Sequence, residues 1–380
     1  MIMCKKKINV VTAAPYVQNY GSMLLTYATQ KLLESKDFDV EILNYSRRSL
    51  QEAISFKELL HALAVRDGSK NKPAFVRFAM AIVLYSSEKT MAKIVRDFMN
   101  KYIKVTSVRY LDEESLKNNP PKADIYCTGG DQMWNEQFNF HKTLREFYLT
   151  FAPKDKPKIS FSTSIGKEQF GEWEISEVLP LLKDYDLISV REAKTKPYFE
   201  GLGVKNVYHL IDPTLLLPKD KWKEIVAPRQ IKDDYILLYE ISRKGNLTAC
   251  AKELAKRTGK KLVRINRYAL DKIRVGKSVL CPTPEEWLSL FCYADAVVTN
   301  SFHGVVFSTI FERQFILVPG ANPTRLENMM NTLGISGRSC SDPSKVLEVY
   351  KTPINYCEVA KHLKEERRKF DEFFEKAKAL

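Results

Sequence analysis

The sequence has no cysteine arrangement that speaks of a metal or of disulfides. Its 7 cysteines form no CxxC pair, and none stands with histidine at zinc-ligand spacing. Neither a structural zinc nor a disulfide framework is implied, and the odd number fits a reducing, cytoplasmic compartment. Glycine-rich phosphate loops are missing as well: neither GxGxxG nor the P-loop pattern occurs, which argues against a dinucleotide or nucleoside-triphosphate site. No apolar run reaches the ~20 residues that span a bilayer. The most apolar window, residues 75–85, is interrupted by Arg77; it reads as a buried helix, with a membrane surface or a lipid-acceptor groove as the other use. The basic start, residues 1–7, is followed by a short β-rich run at 8–14 and then by polar Gln18 and Asn19, the pattern of a first strand and not of a signal peptide. Nor is charge gathered into one basic arm. Lys and Arg outnumber Asp and Glu by 60 to 46, a formal +14, yet the signs interleave, as in Lys364-Glu365-Glu366-Arg367-Arg368. Such a chain favours anionic partners, whether phosphorylated metabolites, acidic glycans or the inner face of an anionic membrane, and lacks the arm expected of a nucleic-acid binder.

What is present is the rhythm of an α/β protein. With 380 residues, 44% hydrophobic and 28% charged, the chain has room for two cores. Strand-like runs at 8–13 and 40–44 flank a helical run at 22–33, a βαβ unit. Residues 50–108 turn helical; strands resume at 123–127, 159–163 and 187–190, and again at 207–211, 235–240, 261–265, 296–299 and 315–318. The expected architecture is two Rossmann-like domains: 1–211, with a helical insertion at about 50–108, and 212–380. The second ends in a helix carrying Val359, Leu363, Phe370, Phe373, Phe374 and Ala377 near one face, suited to pack across the domains. Pro213 and Pro218 mark the boundary and favour an extended connection there. Ligands in such sheets bind outside the C-terminal strand ends, so function is expected at those ends and in the cleft between the halves.

The sharpest local feature is Val297-Val298-Thr299-Asn300-Ser301-Phe302-His303-Gly304, a buried strand running into a helix that Ser301 caps. A helix start suits phosphate or carboxylate, and His303 would stand beside that anion, able to move protons near neutrality. Gly304 is expected to keep the approach open, and His61, His141, His209 and His362 lack comparable surroundings. Ser189-Val190-Arg191-Glu192 puts Arg191 just past a strand, where its fork could hold an anion in two bonds, unless it serves an ion pair with Glu192 or another acid. Arg325 is a second anion-binding candidate. Thr128-Gly129-Gly130-Asp131-Gln132 offers a glycine turn whose backbone can touch a ligand, with Asp131 and Gln132 for sugar hydroxyls. Asn19-Tyr20-Gly21-Ser22 reads as a strand-to-helix turn on the same edge.

Taken in order, these segments resemble the polysaccharide pyruvyl transferase family: Asn19 to Ser22, residues 124–135 ending Gly129-Gly130-Asp131-Gln132-Met133-Trp134-Asn135, Ser162-Thr163-Ser164-Ile165-Gly166, Ile188 to Glu192, Leu210-Ile211-Asp212-Pro213-Thr214, Thr299 to Gly304, and Asn322 with Arg325. The resemblance implies a GT-B-like arrangement of the two halves and phosphoenolpyruvate as donor. It also implies a cyclic pyruvate ketal on a hexose of an exopolysaccharide or cell-envelope polysaccharide, free or lipid-linked, with neither metal nor cofactor. His303 would be the catalytic acid and Arg191 a donor contact, with Ser301, Asn300, Gly304, Arg325, Gly129, Gly130, Asp131, Gln132, Asn19, Gly21 and Ser164 around the substrates. Gly130 stands where many relatives carry Ser, and Ser301 where some carry Arg, so donor contacts are expected to be redistributed here. Two other readings share the residues: a GT-B glycosyltransferase using a nucleotide-sugar, and a non-catalytic glycan-binding protein exploiting the positive charge.

Overall fold

The computed structural model describes residues 5–13, 19–45, 55–65, 71–136, 145–241, 245–268, 275–320 and 324–380. Every strand pairing among them is parallel. The first sheet runs β2 (Asp39–Ile42), β1 (Lys7–Val11), β3 (Ile125–Thr128), β4 (Lys158–Ser160). Bridges Ile159↔Leu187 and Thr163↔Val190 carry it on to β5 (Ile188–Val190), which pairs with β6 (Val207–His209). The second sheet has the order β11 (Gln314–Leu317), β10 (Ala296–Thr299), β7 (Tyr235–Tyr239), β8 (Lys261–Asn266), β9 (Lys277–Leu280). Strand order reverses at β1/β3 in one sheet and at β7/β10 in the other, the places where an open parallel sheet forms a binding crevice. β3, β7 and β10 are buried along their whole length, as strands covered by helices on both faces must be, and so they read as continuous apolar runs. β9 is the strand absent from the sequence reading. Its KSVL segment sits at a sheet edge, partly exposed, and too little of it is apolar to announce a strand.

Helix α1 (Tyr20–Glu34) is capped by Asn19, whose side chain accepts from the Gly21 amide, and is buried on nearly every side. It lies in an apolar core that runs from the first sheet to the second. Tyr27 is 5.5 Å from Trp222, Trp222 is 4.9 Å from Phe307, and Tyr20 stacks on Trp287 at 5.8 Å. At roughly 1.5–3 kcal/mol for each fully buried large apolar side chain, this bridge holds the two sheets in one arrangement. The connection between them is extended at Leu217–Pro218 but not at Pro213. Pro213 stands in the first turn of a short helix, Pro213–Leu216, capped by Asp212, and Leu215, Leu216 and Leu217 are buried. A proline at that position loses no hydrogen bond, because the amide it lacks would have had no partner.

The insertion is helical, with α2 (Phe56–Val65) and α3 (Ala74–Tyr102). The later turns of α3 pack on α1 through Val95, Phe98 and Met99 and reach the second half: Glu88 bonds Arg267 and Tyr268 at 2.5 and 2.8 Å, and Tyr102 bonds Glu285 at 3.0 Å. Its earlier turns share only a small core with α2, built on Leu59, Leu63 and Ala81. The 75–85 window is therefore not a buried helix. One short partner covers one side of it, and Phe75, Phe78 and Ile82 remain 76%, 50% and 52% exposed. The last helix, Tyr356–Ala379, leans on both halves: Tyr356 bonds the Arg313 carbonyl at 2.5 Å, while Phe370 and Phe374 pack on Phe161. No helix among the described residues is long and apolar enough to cross a membrane.

Candidate active site

Parallel register begins the site. The bridges Asp131↔Thr163 and Thr163↔Val190 align the residues just past β3 and β4 with the end of β5, which sets the Arg191 guanidinium beside Asp131, Nη1 to Oδ1 3.7 Å. Asp212, capping the helix after β6, accepts from the same Nη1 at 3.0 Å, and Glu192 Oε1 accepts from Nε at 3.5 Å. Ser164 Oγ donates to Glu192 at 2.6 Å, and Ser22 Oγ, in the first turn of α1, donates to Asp131 at 2.9 Å. Asp131 adopts φ +76°; such strain, of order 1–3 kcal/mol, persists only where the surroundings fix it. Burial pushes the Asp131 carboxyl up, but Arg191 and then His303 outweigh it and hold the carboxyl below its usual range.

Arg191 is buried, and the two-pronged anion hold expected of it is not the arrangement found. Nη1 and Nε are committed to carboxylates, while Nη2 is buried with no hydrogen-bond partner. Arg325, in the helix Thr324–Thr332, approaches from the other sheet with Nε 3.9 Å from Glu192. Burial first, then the Arg191 charge, pushes its guanidinium down to about 10, still cationic at neutral pH. Phe302 joins the two, its ring centroid 5.2 Å from the Arg191 Cζ and 5.1 Å from that of Arg325. Each contact is a cation–π attraction of about 0.5–2 kcal/mol.

His303 follows in the first turn of the helix Phe302–Ile310, whose cap Ser301 accepts from the Gly304 amide at 3.2 Å. Its Nε2 is closed off from solvent and has no partner. Burial lowers the imidazole below its ordinary 6.5; Asp212 and Asp131 oppose this, Arg191 and Arg325 reinforce it, and the downward direction wins. The resting ring is neutral near pH 7. Beside the two guanidinium groups lies a cavity of about 20 Å³ lined by Arg191, Glu192, His209, Asp212, Phe302 and Arg325 among others, with His303 next to Phe302 in the chain but not in its wall.

The comparisons with known proteins bear directly on this geometry. The family model described as polysaccharide pyruvyl transferase matches residues 19–322. The chain belongs to the polysaccharide pyruvyl transferase family. Among solved structures, this family member is similar to an S. aureus MnaA–UDP complex, with TM-score 0.50 and 11% identity over 95% of this chain and 91% of that one. A UDP-GlcNAc 2-epimerase from Methanocaldococcus jannaschii gives TM-score 0.49 at 13% identity, over 93% of each chain. The glycosyltransferase SnogD from Streptomyces nogalater gives 0.42 at 13%, over 97% of this chain and 96% of that one. No curated protein matches. The fold is the GT-B-like pairing of Rossmann-like halves that the sequence leads one to expect.

In this family member the residues named from sequence divide into two groups. His303, Arg191, Arg325 and Asp131 meet, with Gly21, Ser164 and the Ser301 cap in contact with them or holding them. The rest have contacts within the fold. A Cβ on Gly304 would lie 2.4 Å from Thr299 Oγ1, so this glycine lets the helix pack on β10. A Cβ on Gly129 would meet Thr12 and Val10, and one on Gly130 would meet Pro213 and Leu25. Gln132 Oε1 accepts from Asn135 at 2.5 Å, Asn300 Oδ1 accepts from the Ile241 amide at 2.9 Å, and Asn19 caps α1. Asn322 lies outside the described residues. From sequence Glu192 is an alternative ion-pair partner of Arg191, the place it takes here, while Asp212, Phe302 and His209 have no assigned role. Asp212 carried a usable signal, since Asp before Pro at a strand end reads as a helix cap. His209, set aside from sequence, lines the cavity and donates Nε2–H to the Arg191 carbonyl at 3.1 Å. Only a strand end brought there by β5–β6 pairing reveals it.

Gly21 is where the first half touches the imidazole: an added Cβ would stand 2.1 Å from His303 Nδ1. Gly21→Ala is expected to turn the ring and lower turnover at least about tenfold, since an ångström of misplacement can cost a hundredfold, with a melting temperature close to wild type. Steady-state kinetics alongside a thermal melt checks it.

Proposed function

We propose that this protein transfers a pyruvyl unit from phosphoenolpyruvate to a pair of hydroxyls on one sugar of a polysaccharide or its precursor, closing a cyclic ketal and releasing phosphate. The observation that carries the reading is that His303 Nε2, Arg191 Nη2 and Arg325 Nε are each buried without a hydrogen-bond partner, while both guanidinium charges act on the imidazole. Buried donors left unpaired are costly. A small anion bearing both carboxylate and phosphate would satisfy such a set, and family membership supplies the saccharide as acceptor.

In the proposed sequence one sugar hydroxyl adds to C2 of the enol phosphate. Its proton leaves through His303, and C3 gains a proton to become the methyl group. The second hydroxyl then displaces phosphate at C2, and its proton leaves with the phosphate or by way of the imidazole. Arg325 and the free Nη2 of Arg191 steady the anion, and fixed donors already aimed at developing charge need no reorganisation. Asp131 acts on Arg191 through its charge at 3.7 Å, and Ser164 acts through its hydrogen bond to Glu192. The present cavity admits about one water-sized molecule, so donor entry requires the crevice to widen. Purified protein given saccharide acceptors is expected to release phosphate from phosphoenolpyruvate and to leave nucleotide-sugars untouched. Turnover of a nucleotide-sugar, with none of phosphoenolpyruvate, would replace this reading with glycosyl transfer.

A further inference from the structure

The geometry points to the helical hairpin of the insertion as a docking element for an anionic lipid bilayer. Along α3 the outward residues fall on one stripe at helical spacing: Phe75, Phe78, Ile82, Ser86, Lys89, Lys93 and Arg96, all exposed. The first three are large and apolar, with more than half of each of Phe75 and Ile82 in solvent. The last three are basic. The stripe thus changes from apolar at the tip to cationic behind it, the order in which a helix entering a membrane meets acyl chains and then phosphate headgroups. Charge nearby is mostly basic: residues 55–97 carry eight Lys and Arg against four Asp and Glu, with Asp97 4.0 Å from Arg96. One of those acids, Glu88, is turned inward onto Arg267 and Tyr268. A protein partner would find this basic margin neutral or unfavourable unless it were itself acidic; an anionic bilayer complements both the apolar tip and the basic margin.

The hairpin tip is held apart from the main cores. Its small cluster of Leu59, Leu63 and Ala81 is separate from them, and aromatic rings such as Phe56 on Phe78, centroids 5.4 Å apart, stiffen it. Farther along α3, Met91 meets the hydroxyl of Tyr20 at 3.5 Å, next to the Gly21 that touches His303. The docked tip would therefore sit about 13 Å along the helix from the rim of the crevice, at 1.5 Å per residue from Ile82 to Met91. Docking of this kind does not depend on which donor the site takes.

Flotation of the full chain with vesicles tests it. Wild type is expected to float with phosphatidylcholine–phosphatidylglycerol vesicles and not with phosphatidylcholine alone, and added salt should weaken the binding. The exposed triple change Phe75→Ser, Phe78→Ser, Ile82→Ser should reduce binding at least about tenfold, and Lys89→Gln, Lys93→Gln, Arg96→Gln should remove the preference for anionic lipid. Both variants should melt like wild type. The proposal fails if wild type does not float with the anionic vesicles, or if the serine variant binds them equally. It also fails if sedimentation shows a wild-type dimer that the serine changes convert to monomer, which would give this face to a second copy.

Discussion

His303→Ala is expected to lower phosphate release from phosphoenolpyruvate by about 10²–10⁴, the range over which a positioned acid–base group acts, while the protein stays folded. Little of the fold rests on this ring, whose Nε2 bonds nothing in the protein. His303→Gln, closer in shape, should be similarly slow, separating proton transfer from packing. The same substitution has a signature in stability. In the folded chain burial, the largest influence, holds the imidazole below its ordinary 6.5. Above that value folded and unfolded chains both carry it neutral. As pH falls, the unfolded chain takes up a proton that the folded site resists, so stability is full above about 6.5 and is lost through the lowered folded value. Thermal melts across mildly acidic pH should show wild type losing more stability than His303→Gln. Equal losses would mean that the ring is not held neutral by the site, and near-normal turnover by the alanine variant would remove it from the chemistry.

The second large effect lies at Arg191. Its guanidinium answers Asp212 at 3.0 Å, Glu192 at 3.5 Å and Asp131 at 3.7 Å, all within the protein. Arg191→Met strands these carboxylates, and breaking a buried charge pair from one side costs about 3–5 kcal/mol. Denaturant unfolding should show a loss of that size, with the acids taking up protons to relieve it. Arg191→Lys keeps the charge but not the planar fork. It should be less destabilised than the methionine variant yet still lose donor turnover, because a single ammonium cannot serve Asp212, Glu192 and a ligand together. A methionine variant as stable as wild type would show that the three acids do not depend on this cation.

These two residues also mark how far sequence carries. Both stand at strand ends, where the alternation of apolar runs and polar turns places them without any coordinates, and the ordered segments around them identify the family. Arg191's partners were less accessible. Glu192 is its neighbour in sequence, but Asp131 and Asp212 reach it only through the β3–β4–β5–β6 register, so an arginine that looks free for an anion proves to be mostly engaged. Phe302 gave no signal, since an aromatic beside a buried strand is ordinarily core. The 75–85 window misled for the opposite reason: its composition is that of a buried helix, and whether a partner covers it is a property of the other elements.

What the sequence by itself determined is the alternation of strands and helices, the polar strand ends, the family, and the positions of His303 and Arg191 on those ends. These follow from local periodicity and short spacing, which need no distant partner to be read. The tertiary structure alone decided which strand ends meet, that Gly21 must lack a side chain to admit the imidazole, that three carboxylates gather on one guanidinium, and that the insertion leaves an apolar face uncovered. Each is a contact between segments far apart in the chain, fixed by sheet order and by how the two halves pack, and one-dimensional patterning holds no record of it.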